Sequence, residues 1–164
     1  MFQIKYINSG AELTKKHKIM VTENRKARHN YFLEDKYEAG LVLKGTEVKS
    51  LRLGRANLKD SYGRIINNEV FIYQMHIAEY PFAHYGNHAP LRPRKLLLHE
   101  REIKKLYSKV NEMGFSLIPL KVYFINGKAK IEIALAKGKR KYDKRETIKK
   151  RDEKRDMDRA MRNT

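Results

Sequence analysis

The dipeptide Asn126-Gly127 separates two runs of residues that are best used as β-strands. Leu120-Lys121-Val122-Tyr123-Phe124-Ile125 leads into it. Beyond it, Ala129, Ile131, Ile133 and Leu135 alternate with Lys128, Lys130 and Glu132. Asn and Gly tolerate the positive φ angles of a two-residue type I′ turn, and a period of two puts alternate side chains on opposite faces of a strand. A hairpin with one wet face is therefore expected, and it rules out an all-helical fold. A second, weaker hairpin signal lies at Asn67-Asn68, with Arg64-Ile65-Ile66 leading in and Glu69 to Ile77 leading out. Further strands are expected through Tyr37 to Leu43 and, shorter, through Tyr31-Phe32-Leu33.

Between the hairpins, Ile103, Leu106, Tyr107, Val110 and Met113 recur at helical spacing and Gly114 supplies a stop, which predicts an amphipathic helix covering one side of the sheet. Thr46 to Arg52 is expected to be a short helical piece, with an extended reading nearly as good. Several antiparallel strands with one inserted amphipathic helix predict a mainly β chain, a small antiparallel barrel of the oligonucleotide-binding (OB) type, because closure removes exposed sheet edges. A split α+β sandwich is the alternative. Composition divides the chain into an N-terminal arm over 1–22, a folded body over 23–136 and a basic tail over 137–164. The tail has almost no large apolar residues besides Ile148, Met157 and Met161. It is expected to be disordered alone and helical along a polyanion, because its helix propensity is good and its packing energy poor.

Charge narrows the function. The 164 residues carry 37 Lys and Arg against 19 Asp and Glu, a formal net charge of +18, and such a field favours nucleic acid or an anionic membrane. No continuous apolar stretch of spanning length and no signal peptide is legible, so the expectation is a cytoplasmic protein without a membrane partner. The absence of Cys excludes disulfides and thiolate metal sites. His99-Glu100 lacks the second His of a zinc-protease helix, since the required position is Ile103, and Gly138-Lys139-Arg140 lacks the hydroxyl of a phosphate loop. His84 and His88 have ligand spacing but lie between Pro81 and Pro90, where a solvated loop is expected. No cofactor, no metal and no enzymatic activity are expected.

Basic residues interleaved with aromatics and amides suit RNA, because cations hold phosphates while rings and amides meet exposed bases. Asn24-Arg25-Lys26-Ala27-Arg28-His29-Asn30-Tyr31 has this mixture. Leu91-Arg92-Pro93-Arg94-Lys95-Leu96-Leu97-Leu98-His99 runs a basic cluster into a helix start, with at least one of the three leucines expected in the core. A third segment is Lys44 to Arg52, followed by Asn57-Leu58-Lys59-Asp60-Ser61-Tyr62.

With Ala136-Lys137-Gly138-Lys139-Arg140-Lys141-Tyr142-Asp143-Lys144-Arg145, these blocks resemble the SsrA-binding protein family in order and spacing over residues 23 to 150. The resemblance implies an OB-type barrel that binds the tRNA-like domain of tmRNA and delivers it to stalled ribosomes, with elongation factor Tu in the delivery complex and the protein monomeric on RNA. It implies an RNA-facing surface of Asn24, Arg25, Lys26, Arg28, His29, Glu38, Arg52, Asn57, Arg94, Lys95 and Leu97. In the tail it implies that Gly138, Lys139, Tyr142, Asp143, Lys144 and Arg145 meet the decoding centre, with Ile148 to Met161 in the mRNA channel. Many members have His where this chain has Tyr142, so stacking rather than charge is the expected role there. Glu38, a carboxylate on a cationic surface, either accepts from a base or ribose, orients a neighbouring Arg, or forms an ordinary ion pair. An integral ribosomal or rRNA-binding protein is the alternative function.

Overall fold

The computed structural model describes residues 18–84 and 86–162. In chain order it holds β1 (Lys18–Glu23), α1 (Ala27–Asn30), β2 (Tyr31–Leu41), α2 (Gly45–Arg52), β3 (Ala56–Asn57), β4 (Tyr62–Ile66), β5 (Glu69–Tyr73), β6 (His76–Ile77), β7 (Arg94–Leu97), α3 (Glu100–Met113), β8 (Ser116–Ile125), β9 (Lys128–Gly138) and α4 (Lys141–Arg162). The chain is mainly β, as the alternation predicted.

Both hairpins form as local turn chemistry dictates. Asn126 and Gly127 have φ of 49° and 75°, and Asn67 and Asn68 have 49° and 60°, so each two-residue turn uses residues that tolerate the left-handed region. The pairings run β8–β4–β5–β7–β2–β9 and return to β8, all antiparallel, giving a closed ring of strands. Long β8 makes this possible. One edge pairs with β9 over its whole length, while the other gives Leu117 to Gly63 of β4 and Lys121–Ile125 to β1. At Gly63 a Cβ would sit 2.7 Å from Leu117 Cβ, so only glycine permits this approach.

Ala39, Leu41, Val70, Ile72, Leu96, Leu117, Val122, Phe124, Ile131, Ile133 and Leu135 line the inside of the ring and form the main core. Burying this apolar area is the main term favouring closure. A smaller cluster, Ala27, Ile118, Leu120, Ala134 and Ala136, lies where α1 covers the other face of β8 and β9. The face expected to be wet along the whole hairpin is therefore wet only towards the turn. Glu132, expected on solvent, keeps 22% of its side chain exposed and lies 3.9 Å from Lys36.

Three boundaries differ from the sequence reading. The two pieces expected around Tyr31 and Tyr37 are one strand, β2, with an irregularity between Leu33 and Lys36 that leaves Glu34 and Asp35 exposed. The run expected to continue to Ile77 breaks at Gln74, which adopts φ of 55°, so that β6 pairs with β3 in a separate two-stranded sheet. Of the arm expected over 1–22, residues 1–17 lie outside the described residues, and 18–22 belong to β1. Helix α3 forms as predicted and stops at Gly114, φ 67°. It buries only Ile103 and Leu106, while Tyr107 and Met113 stay exposed, because its apolar stripe is wider than the contact that receives it. Helix α4 follows β9 over a segment expected to be disordered alone. Among its described residues none is buried, and its exposed pairs Lys149–Glu153, Arg155–Asp152 and Arg159–Asp156 bridge successive turns.

Candidate nucleic-acid interface

At the end of β1 the chain turns on Asn24. Its Nδ2 donates to the Pro119 carbonyl at 3.2 Å, its Oδ1 accepts from the Ala27 N–H at 3.2 Å, and its own N–H donates to Leu120 O at 2.7 Å. The side chain expected to read RNA is thus spent inside the protein. It fixes the short α1, buries Ala27 and leaves Arg25, Lys26 and Arg28 exposed. His29 is half-buried, its Nδ1 3.0 Å from Asn30 Oδ1.

Facing this turn are Asn57 of β3, whose Oδ1 accepts from the Lys59 N–H at 2.7 Å, and Tyr62 and Arg64 of β4. Val110 of α3 and the residues Phe115 to Ile118 complete a cleft of about 680 Å³. Its lining carries Arg25, Lys26, Lys59 and Arg64 against two acids, Glu23 and Asp60, beside the apolar residues Ala27, Val110, Phe115, Leu117 and Ile118. The Tyr62 ring stacks on Tyr73 with centroids 5.7 Å apart and planes inclined by 15°, and the Arg64 guanidinium lies 6.0 Å from the Tyr62 ring.

Glu38, Lys95 and Leu97 belong to a different surface, the outside of the ring. The Tyr123 hydroxyl donates to Glu38 Oε2 at 2.5 Å, and Lys130 Nζ lies 3.6 Å from Oε1. The Lys18 ammonium stands 3.5 Å from the centroid of the Tyr123 ring. Burial, then the hydrogen bond to Glu38, pushes the Tyr123 hydroxyl pKa well above its ordinary value. Of the expected alternatives for Glu38, the ion pair has its partner in Lys130. Leu97 is 57% exposed opposite Gly40, where a Cβ would come within 3.3 Å of Leu97 Cβ. Glu38 and Gly40 share a strand face, so Leu97 lies beside Glu38. Lys95 pairs with Glu69. Leu96 is the leucine that enters the core.

Arg94 must be removed from the expected surface. Its side chain is fully buried, with Nε donating to Glu47 Oε1 at 2.9 Å, Nη1 to the Met75 and Arg92 carbonyls, and Nη2 to Pro90 O at 3.0 Å. Arg92 adds a bidentate contact to the same carboxylate, and the Lys44 N–H donates to it at 2.6 Å at the start of α2. Burial alone would raise the Glu47 pKa, but the Arg92 hydrogen bond, the Lys44 amide and the two guanidinium charges outweigh it and hold the carboxyl below its ordinary range. His88, expected in a solvated loop, is also buried. Its Nδ1 lies 3.0 Å from Thr46 Oγ1 and its Nε2 3.1 Å from Ile77 O, which ties the loop to α2 and β6. Arg52, at the end of α2, is exposed and borders a smaller apolar cleft with Ile19, Met20 and Phe124.

The root of the tail is built into the body. Gly138 pairs with Tyr31, the Lys139 N–H donates to Asn30 O at 2.9 Å, and Lys139 Nζ donates to Arg28 O at 3.1 Å while lying 4.9 Å from the Phe32 ring. Asp143 accepts from the Arg140 N–H at 3.0 Å and so caps α4. Tyr142 is 77% exposed, Arg145, Ile148 and Met161 are exposed, and Lys144 is half-buried.

The structure thus joins Asn24, Arg25, Lys26 and Asn57 at one cleft, collects Glu38, Lys95 and Leu97 on another face, and withdraws Arg94. Sequence reasoning reached Lys59 and Tyr62 only as neighbours of Asn57 and missed Arg64, Val110 and Phe115. Arg64 follows the aromatic Tyr62 by two positions, a spacing that places both on one strand face and could have signalled it. Cations, amides and aromatic rings brought together in this way can hold phosphates and stack bases. Among the described residues, no group of three or more His, Asp or Glu could hold a metal ion, and no helix is long and apolar enough to cross a membrane.

Comparison with known proteins agrees in sequence and in shape. The family model for the SmpB protein matches residues 21–163. The SsrA-binding protein of Thermobifida fusca (strain YX) is 59% identical over 142 residues, covering 87% of this chain and 89% of the relative. That of Moorella thermoacetica is 59% identical over 144 residues, covering 87% and 93%. A chain from the solved structure described as "tmRNA-SmpB: a journey to the center of the bacterial ribosome" is 45% identical, with a TM-score of 0.63 over 77% of this chain and 93% of that chain.

Proposed function

This chain belongs to the SmpB family, and from that premise we propose that it is an RNA-binding adaptor of trans-translation, which binds the tRNA-like domain of tmRNA and delivers it to stalled ribosomes. The observation that carries this reading is the separation of two cationic parts. The body offers a concave basic cleft with aromatic walls, and the tail offers an exposed basic helix joined to the body at Lys139. An adaptor needs both, one to hold its RNA and one to test the ribosome.

On this reading the ring of strands is a small barrel of the OB type. Arg25, Lys26, Arg28, Arg52 and Asn57 face tmRNA, with Glu38, Lys95 and Leu97 giving a second contact, while Asn24 acts by positioning its neighbours. Tyr142 stacks at the decoding centre, flanked by Lys144 and Arg145, and α4 from Ile148 to Met161 occupies the empty mRNA channel. The protein works in the cytoplasm as a monomer on RNA, elongation factor Tu travels in the same delivery complex, and no catalytic step belongs to the chain itself.

The test is a truncation, placed by the structure after Arg140 rather than at the compositional boundary, because Lys137 to Lys139 pair with β2 and α1. The shortened chain should bind tmRNA with nearly unchanged affinity and fail to support tagging on stalled ribosomes. Equal loss of binding and tagging would refute the two-part adaptor.

A further inference from the structure

Between β1 and the end of α2 lies a second concavity, of about 350 Å³, which the adaptor reading leaves unused apart from Arg52 at its border. Ile19, Met20 and Val21 form one wall, and Leu51 and Phe124 line it with buried apolar side chains. Ile19 stands opposite Phe124 in the pairing of β1 with β8, and directly opposed residues point to the same side of a sheet. Phe124 belongs to the main core and is 5% exposed, yet Ile19 is 55% exposed and Met20 47%. A large apolar side chain on the core-facing side of a strand is stabilised by further apolar cover. At Gly54 and Gly127, which also line the groove, a Cβ would meet nothing within 4 Å, so there is room for another side chain.

We propose that this groove is the docking site of the chain's own residues 2–7, with the side chains of Phe2, Ile4 and Tyr6 entering it. Phe2, Ile4 and Tyr6 alternate with Gln3 and Lys5, so an extended segment here carries one apolar and one polar face. The ten residues from Asn8 to His17 hold one large apolar residue, Leu13, and open on Asn8-Ser9-Gly10, residue types that favour a turn. Ten residues reach at most about 33–36 Å when fully extended. That is ample to bring residues 2–7 back over β1, whose second residue, Ile19, lines the groove. Because both parts belong to one chain, the contact forms at the high effective concentration of a tethered segment. RNA is a poorer occupant, since among the described residues the groove is lined by one charged side chain, Arg52, and by one ring, Phe124, which is buried. The proposal goes beyond the adaptor reading, because the family match begins at residue 21 and the arm precedes it.

Photo-cross-linking of the full chain tests this without RNA, so its failure and that of the adaptor reading are distinguishable. A benzophenone-bearing amino acid replaces Ile4 in one variant and Lys5 in another. From position 4 it should attach, within the same chain, to residues 51–54 or 124–127, with a yield several-fold above that from position 5, whose side chain points away from the groove. Equal yields from the two positions would overturn the proposal, because an arm with no docked face does not distinguish them. Attachment only between two chains, seen in the mass of the product, would overturn it in favour of a second copy as the occupant. Removal of residues 1–16 gives a second measurement. In amide NMR spectra the signals of Leu51, Arg52, Gly54 and Gly127 should shift while those of α3 stay in place, and the double substitution Phe2→Ser with Ile4→Ser should reproduce the shifts. Unchanged signals at the groove would overturn the proposal. If tmRNA moved these signals and removal of the arm did not, RNA would be the occupant and the proposal would fall.

Discussion

Two basic stretches that look alike in the sequence, Arg92 to Lys95 and Lys139 to Arg145, have opposite fates in the fold. In the first, Arg94 is wholly buried and Arg92 largely so, both bound to the buried Glu47. In the second, Tyr142 and Arg145 stand in solvent, and the ion pairs further along α4 are exposed. A run of cations in the sequence therefore does not by itself mark an exposed cationic surface. In the body the charges organise the fold, joining α2 to β7, whereas at the tail Arg145 stands exposed, where another molecule can reach it.

The largest effect should come from removing the carboxylate that two arginines share. Glu47→Gln leaves the Arg94 charge buried and under-compensated, and is expected to destabilise the chain by about 3–5 kcal/mol, measured as a shift of the urea unfolding midpoint. A loss below about 1 kcal/mol would mean that Arg94 finds other compensation, and the contrast between the stretches would weaken.

Acid should act in the same direction, less abruptly. The folded-state pKa of Glu47 is depressed, so its contribution is fully present above the unfolded value of about 4.3 and is lost as pH falls through the lower folded value. Unfolding midpoints measured from pH 7 down through pH 3 should fall across this window, and Glu47→Gln should flatten the fall. An equally steep fall in the variant would place the acid sensitivity elsewhere.

The smallest effect belongs to the tail. Lys149 and Glu153 are 80% and 58% exposed, 3.9 Å apart, and in the less favourable order of base before acid. Glu153→Gln should change the stability of the body by less than about 0.5 kcal/mol, and salt should reduce α4 helicity by circular dichroism while leaving the buried Glu47 network intact. A large effect on the body would mean that α4 packs against it more firmly than its exposure implies.

What could be read from the sequence follows the range of the interactions involved. The Asn126-Gly127 and Asn67-Asn68 turns were legible because a positive φ is settled by the residues that adopt it. The stop of α3 at Gly114 was legible for the same reason. Gln74 carried no such signal, since its left-handed conformation is imposed by the departure of the chain from β5 to β6. The site was half legible. Arg25 and Lys26 lie in an obvious basic and aromatic mixture, whereas Arg64 and Phe115 join them only because β4 and β8 meet at Gly63.

By itself, the sequence determined the charge, the strand periodicity, the turns and the helix-forming composition of the tail, all properties of residues within a few positions of one another. The tertiary structure alone decided the closure of the ring, the cleft walls, and the withdrawal of Arg94 from the surface. Arg94 and Glu47 are 47 positions apart, and a guanidinium surrenders its water only where packing has already put a carboxylate and carbonyls within reach.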